Sequence, residues 1–319
     1  PRVEQASQAS EGTGESTFPK TVYQFPNTTW VENIRSMRNG SLLVGIIGQP
    51  ELHMINPFAE PATASLTTTF PAPATAVFGI TELVPDVFAV VTGNYSYVTG
   101  TVPGTYSIWK IDLSVKSNSS VSKIADVPET QLLNGMTTLD SETLLIADSS
   151  GKLYALDVQT GKAAVVLDDP TMKPVAGAPV SIGINGVKVV GDFLYYTNTF
   201  QNSINRALVH RGNTTSFGPI ETIASNVTMP DDLDVADDGT VIVPQAWANT
   251  VSRVQLDGQV TRIAGNLNSS LVAGGTSATL GRTWKDRNVA YVSTTGGIGS
   301  PVNGSFVEGG KVVAIKIDC

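Results

Sequence analysis

Glu32, Asn134, Asn185 and Asp231 stand at comparable places along the 319-residue chain, each close to the start of a short β-type run. Together they offer hard oxygen donors with a net charge of −2, a set that suits calcium or magnesium and not zinc. An asparagine at a strand start also serves to satisfy turn backbone groups, but four polar residues in equivalent positions ask for a common explanation. Nucleophilic catalysis is poorly provided for. The two histidines, His53 and His210, fall on or just after outer strands, and the single cysteine, Cys319, ends the chain. No Gly-X-Ser-X-Gly elbow or phosphate-cradling glycine loop is present. A second group of residues has different chemistry. Tyr95, Tyr97, Phe200, Trp247 and Trp284 supply aromatic surface in connecting segments, and Asn198, Gln245 and Arg282 supply hydrogen-bond donors. Each aromatic, taken singly, also suits packing between sheets.

These residues need a scaffold that brings distant segments to one place, and the repeat provides it. Leu42 to Gly45, Val87 to Val91, Leu144 to Ala147, Phe193 to Thr197, Val241 to Val243 and Val289 to Ser293 begin 45, 57, 49, 48 and 48 residues apart. A period near 50 with several strands per unit is the spacing of propeller blades, each a four-stranded antiparallel sheet that buries its faces only by stacking on its neighbours. Six copies predict an all-β, six-bladed β-propeller. Third strands follow at Ile108 to Asp112, Leu153 to Asp157, Arg253 to Asp257 and Val313 to Asp318, and the turns carry Asn39-Gly40, Asp238-Gly239 and Asp257-Gly258. The last repeat lacks an outer strand, so Thr21 to Phe25 is expected to complete it and close the ring. Residues 1–20, rich in Ser, Gly, Glu and Gln, are expected to form a mobile arm ahead of one propeller domain over 21–319.

Antiparallel order places the start of each innermost strand and the end of each second strand on the same face of the disc. Glu32, Gly79, Asn134, Asn185, Asp231 and Thr276 should therefore meet the segments around Gln49, Asn94, Asp148, Asn198, Gln245 and Thr295 at one channel mouth.

Composition limits the partners and the compartment. Charged residues make up 15% and the net charge is −8, with no Lys/Arg cluster, which argues against nucleic acid and anionic membranes as partners. No run is long enough to span a membrane. Eight Asn-X-Ser/Thr acceptors occur, at Asn27, Asn39, Asn94, Asn118, Asn213, Asn226, Asn268 and Asn303, which points to a secreted, N-glycosylated chain with Pro1 as a processed terminus.

Glu32-Asn33-Ile34, Leu133-Asn134-Gly135-Met136, Ile184-Asn185-Gly186-Val187 and Pro230-Asp231-Asp232-Leu233 resemble the inner-strand motifs of SMP-30/gluconolactonase-like propellers. The resemblance extends over nearly the whole chain. It implies that Glu32, Asn185 and Asp231 are ligands of a divalent cation, that Asn134 faces substrate or metal, and that an Asp serves as base on a metal-bound water. Where the hydrolases carry Glu-Gly-Pro and Pro-Asp-Gly, this chain has Glu-Asn-Ile and Pro-Asp-Asp. The segments 25–34, 101–110 and 307–313 are more similar to a fungal secreted subgroup containing hetero-Diels-Alderases of tropolonic sesquiterpenoid biosynthesis. These join an ortho-quinone methide to a cyclic sesquiterpene of humulene or caryophyllene type.

A cycloaddition asks the protein to hold two apolar partners in a reactive pose, exclude water and donate hydrogen bonds to the oxygen that gains charge. It requires no cofactor. The resemblance therefore implies a pericyclase with Asn198, Gln245 and Arg282 as donors and Tyr95, Tyr97, Phe200, Trp247, Trp284 and Asn134 around the substrate. The alternative is a metal-dependent lactonase or ester hydrolase, and a noncatalytic ligand-binding propeller is a third reading.

Overall fold

In the computed structural model, residues 18–115, 119–212 and 215–317 are described; positions 1–17, Asn118, Asn213 and Cys319 lie outside them. Six antiparallel four-stranded meanders follow one another. Their innermost strands are Trp30–Ser36, Ala76–Val84, Leu133–Thr138, Ile184–Val190, Asp234–Val235 and Gly275–Leu280. The second strands, Leu42–Ile47, Val87–Gly93, Thr143–Asp148, Phe193–Asn198, Val241–Gln245 and Val289–Thr294, contain the six apolar runs that set the sequence period. Helix among the described residues is limited to two single 3-10 turns, Pro170–Met172 and Ala246–Ala248.

Each second strand is apolar through its middle because both of its faces are covered there. In the third blade, Leu144 and Ile146 pack toward the second blade with Ala89, Val91 and Ile108. Their neighbours Leu145 and Ala147 point the other way, onto Ile184, Leu194 and Tyr196 of the fourth. That alternation is the two-residue period of a strand. Six such cores, one between each pair of neighbouring blades, hold the ring together.

The ring closes as the missing outer strand requires. Lys20–Gln24 pairs antiparallel with Lys311–Lys316, with Lys20 opposite Ala314 and Gln24 opposite Lys311. Strand pairing thus begins at Lys20, inside the expected arm, and Phe18 packs against the core shared by the sixth and first blades. The boundary moves to the N-terminal side because Phe18 finds an apolar seat there. The predicted turns hold their glycines at positive φ, with Gly40 at 85°, Gly239 at 86° and Gly258 at 85°.

Asn-Gly in the third and fourth innermost strands has a packing cause. A Cβ on Gly135 would lie 2.6 Å from the Asn185 carbonyl oxygen and 2.9 Å from the Val187 nitrogen, both backbone atoms. Glycine therefore lets the inner strands converge on the axis while the preceding asparagine faces the channel. Gly135→Ala should destabilise the fold by about 1–3 kcal/mol, the scale of overpacking a tight core. A urea titration would measure it, and an unchanged midpoint would contradict this close approach.

Candidate active site

The channel mouth holds a cavity of about 190 Å³ whose lining joins all six blades. Glu32, Asn134, Asn185 and Asp231 all face into it, from four different blades. The walls are apolar: Trp30, Phe78, Tyr95, Phe200 and Trp247, with Ile47, Leu132, Ile182, Met229 and Ile298. Tyr97, 57% exposed, stands at the rim against Trp30 with ring centroids 6.2 Å apart, and Phe200 meets Trp247 edge-on at 6.0 Å. Tyr95 and Tyr97 come from an uncharged insert in the second blade whose small hairpin pairs Tyr95–Ser96 with Gly100–Thr101.

The floor is acidic and tightly organised. The Trp30 indole N–H donates to Glu32 Oε2 at 2.5 Å. Asn185 Nδ2 donates to Asp231 Oδ1 at 2.7 Å and to Thr199 Oγ1 at 2.9 Å. Its other amide atom, Oδ1, is buried with no partner among the described residues. Burial raises the Glu32 carboxyl from 4.5 to about 7, against the pull of the Trp30 hydrogen bond and with a further push from the charge of Asp232. Asp231 is pushed well above the ordinary range by burial, then by the charges of Glu32 and Asp232.

The nearest buried cations are otherwise engaged. Lys188 and Arg35 both pair with Asp234, further along the channel. Two carboxylates without a basic partner, beside an orphaned amide oxygen, form a donor set that fits a hard divalent cation. Glu32, Asn185 and Asp231 are the residues that would hold it. A folded-state pKa raised above the unfolded value stabilises below the unfolded pKa, and that contribution is lost as pH rises through the folded one. For Glu32 this window runs from 4.5 to about 7. Chelated protein should therefore melt at a lower temperature at pH 8 than at pH 6, and calcium or Glu32→Gln should narrow the difference. A chelated wild-type protein with equal melting temperatures at both pH values would contradict this assignment.

Four expected site residues lie elsewhere. Asn198 stands at the end of its second strand as expected, but it is fully buried and spent on loop backbone. It donates to the Thr171 and Lys173 carbonyls at 2.8 and 2.9 Å and accepts from Gln201 N–H at 3.1 Å. Gln245 donates to the Thr228 carbonyl and accepts from the Thr250 and Ser252 hydroxyls. Arg282 and Trp284 follow the end, not the start, of the innermost strand Gly275–Leu280, which puts them on the opposite face. There Arg282 binds Glu82 and the Ser36 carbonyl, and Trp284 is 81% exposed beside Lys285.

The donors that do face the cavity are Tyr95 and Asn134, whose hydroxyl and side-chain amide make no hydrogen bond to the described residues. Burial, reinforced by the charges of Glu32 and Asp231, raises the Tyr95 hydroxyl from 10.0 to about 12, so it keeps its proton at neutral pH. Trp30 and Phe78 were not singled out from sequence. Trp30 lies two residues before Glu32 and lines the same cavity.

No protein-family model matches the chain. A protein of Phoma sp described as "Putative hetero-Diels-Alderase" is 28% identical over 316 residues, covering 88% of each chain. A protein of Sarocladium schorii with the same description is 25% identical over 329 residues, covering 90% of this chain and 80% of that one. Among solved structures, regucalcin, a calcium-binding protein from Agrobacterium tumefaciens, superposes with a TM-score of 0.63 at 12% identity, covering 94% of this chain and 95% of that one. A gluconolactonase from Xanthomonas campestris gives 0.61 at 11% identity, covering 93% and 88%. By fold the chain is a propeller of the regucalcin and gluconolactonase type, and by sequence it is similar to proteins described as hetero-Diels-Alderases.

Proposed function

We propose that this chain is a pericyclase that joins an ortho-quinone methide to an electron-rich cyclic sesquiterpene by an inverse-electron-demand hetero-Diels-Alder reaction, within the secretory pathway or outside the cell. The observation that carries the reading is the mouth cavity itself: aromatic and aliphatic walls around a small polar floor. Similarity to the two proteins described as hetero-Diels-Alderases supports it. In the cycloaddition one C–O and one C–C bond form as three π bonds become one new π bond and two σ bonds, and no atom enters or leaves.

The chain's residues serve that reaction in three ways. Trp30, Phe78, Phe200 and Trp247 exclude water and stack the two partners in a near-attack pose. Tyr95 and Asn134 donate to the quinone methide oxygen, which gains phenoxide character in the transition state, where such donors are worth most. Trp30 also fixes the Glu32 carboxylate through its indole N–H. A calcium or magnesium ion held by Glu32, Asn185 and Asp231 would supply positive charge at the floor.

The same donor set favours a second reading, metal-dependent hydrolysis of a lactone or ester. The experiment that separates them generates the quinone methide in situ beside humulene or caryophyllene and compares yield and diastereomer ratio with and without protein. The same preparation is assayed on a lactone panel with and without chelator. Identical cycloadduct mixtures at every protein concentration would overturn the pericyclase reading for that pair, and chelator-sensitive lactone turnover would favour the hydrolase.

A further inference from the structure

The face around the mouth carries long stretches without charge. Around the mouth, the stretches 94–105, 174–183, 246–249, 266–274 and 295–307 contain no Asp, Glu, Lys or Arg, and the charges of that face sit beside them at Glu129, Asp168, Asp169, Lys173 and Glu308. Across the opposite face, the connection 281–288 alone carries Arg282, Lys285, Asp286 and Arg287, and 236–240 carries Asp237 and Asp238. These stretches are also apolar. Val98, Leu267, Phe306 and Val307 are 73%, 64%, 46% and 42% exposed, in addition to Tyr97 and Trp247 at the rim. A surface of that kind promotes self-association unless something covers it.

Five of the six described acceptor asparagines lie on this same face, and only Asn39 lies on the other. Asn27, Asn226, Asn268 and Asn303 are exposed on turns, and their side-chain amides make no hydrogen bond to the described residues. Their positions track the apolar residues. Asn27 shares a shallow groove with Phe306 and Val307, Asn268 follows Leu267, and Asn303 precedes Phe306 by three residues. Asn94 is different: it is half-buried, and its Oδ1 accepts from Thr75 Oγ1 at 3.3 Å.

We propose that N-glycans on Asn27, Asn226, Asn268 and Asn303 form a collar around the mouth that covers its exposed apolar stretches and keeps the protein monomeric, with the pocket open between Tyr97 and Trp247. The proposal rests on the reading that the chain passes through the secretory pathway. Each transfer forms a bond from the asparagine amide nitrogen to the anomeric carbon of a lipid-diphosphate-linked oligosaccharide. The bond from that carbon to the diphosphate oxygen breaks, and the amide proton is released. Asn94 remains unmodified because its side chain is held against Thr75.

The test is the full chain secreted from a glycosylating fungal host, with site occupancy read by glycopeptide mass spectrometry. Glycans are expected on the four collar asparagines and absent from Asn94. The quadruple Asn→Gln variant at the collar should lose the monodisperse monomer peak in light scattering. Asn39→Gln should keep it. Empty collar sites in secreted protein would overturn the proposal, as would a glycan-free protein that stays monodisperse. Cycloaddition per mole of monomer should be the same with and without glycans; a fall in turnover without self-association would overturn the solubilising role. Secreted protein with empty collar sites and intact cycloaddition would refute the collar and leave the pericyclase reading standing.

Discussion

Tyr95→Phe is expected to lower the rate of the catalysed cycloaddition by about 100- to 1,000-fold, the range seen when one preorganised donor to a developing oxyanion is removed. The hydroxyl stands in a cavity with apolar walls, is kept protonated by a pKa of about 12, and has no hydrogen-bond partner among the described residues. The ring should stay in place, because it packs edge-on against Phe78 with centroids 5.8 Å apart. The loss should therefore appear in kcat more than in KM, since the oxygen is a better acceptor in the transition state than in the quinone methide. Asn134→Leu should act in the same direction. The measurement is initial rate and diastereomer ratio under in situ generation of the quinone methide, with circular dichroism as a check on folding. A folded Tyr95→Phe protein with the wild-type rate would remove Tyr95 from the mechanism.

The second large effect concerns the floor. The Glu32→Gln, Asp231→Asn double variant should weaken calcium binding by about 100-fold or more, because ligand charge count moves such sites over several orders of magnitude. Titration calorimetry on chelated protein measures it directly. Without calcium the variant should be more stable than wild type at neutral pH, since two buried carboxylates with no basic partner have become neutral amides. The two readings of function then diverge: lactone turnover should disappear with the carboxylates, while an apolar pocket with Tyr95 and Asn134 intact should still steer the cycloaddition. Unchanged calcium affinity would show that the ion, if bound, is held elsewhere.

Much of this was visible in the chain before folding. The sixfold period marks the second strands, because the part of a strand that is covered on both faces is a continuous apolar run, and each of the six runs lies in one. The closing strand was also legible: a blade short of one strand leaves an edge that the N-terminal segment Lys20–Gln24 covers. Antiparallel order brought Glu32, Asn134, Asn185 and Asp231 to one mouth, since strand direction alone decides which end of each element faces it.

What the sequence did not decide is which side chains at the mouth remain free. Asn198 and Gln245 stand at strand ends on the correct face, yet nearby carbonyls and hydroxyls take up their amides. Asn134 and Tyr95 lie on that face without such partners. Arg282 and Trp284 were misplaced by strand polarity, because they follow the inner strand where only residues preceding it reach the mouth. The pattern of residue types specified the scaffold and the face, because periodicity and strand direction are properties of the chain itself. The free donors, the orphaned oxygen of Asn185 and the unpaired acids were decided by the tertiary structure, because a hydrogen bond depends on partners from other strands and loops that only packing brings within about 3 Å.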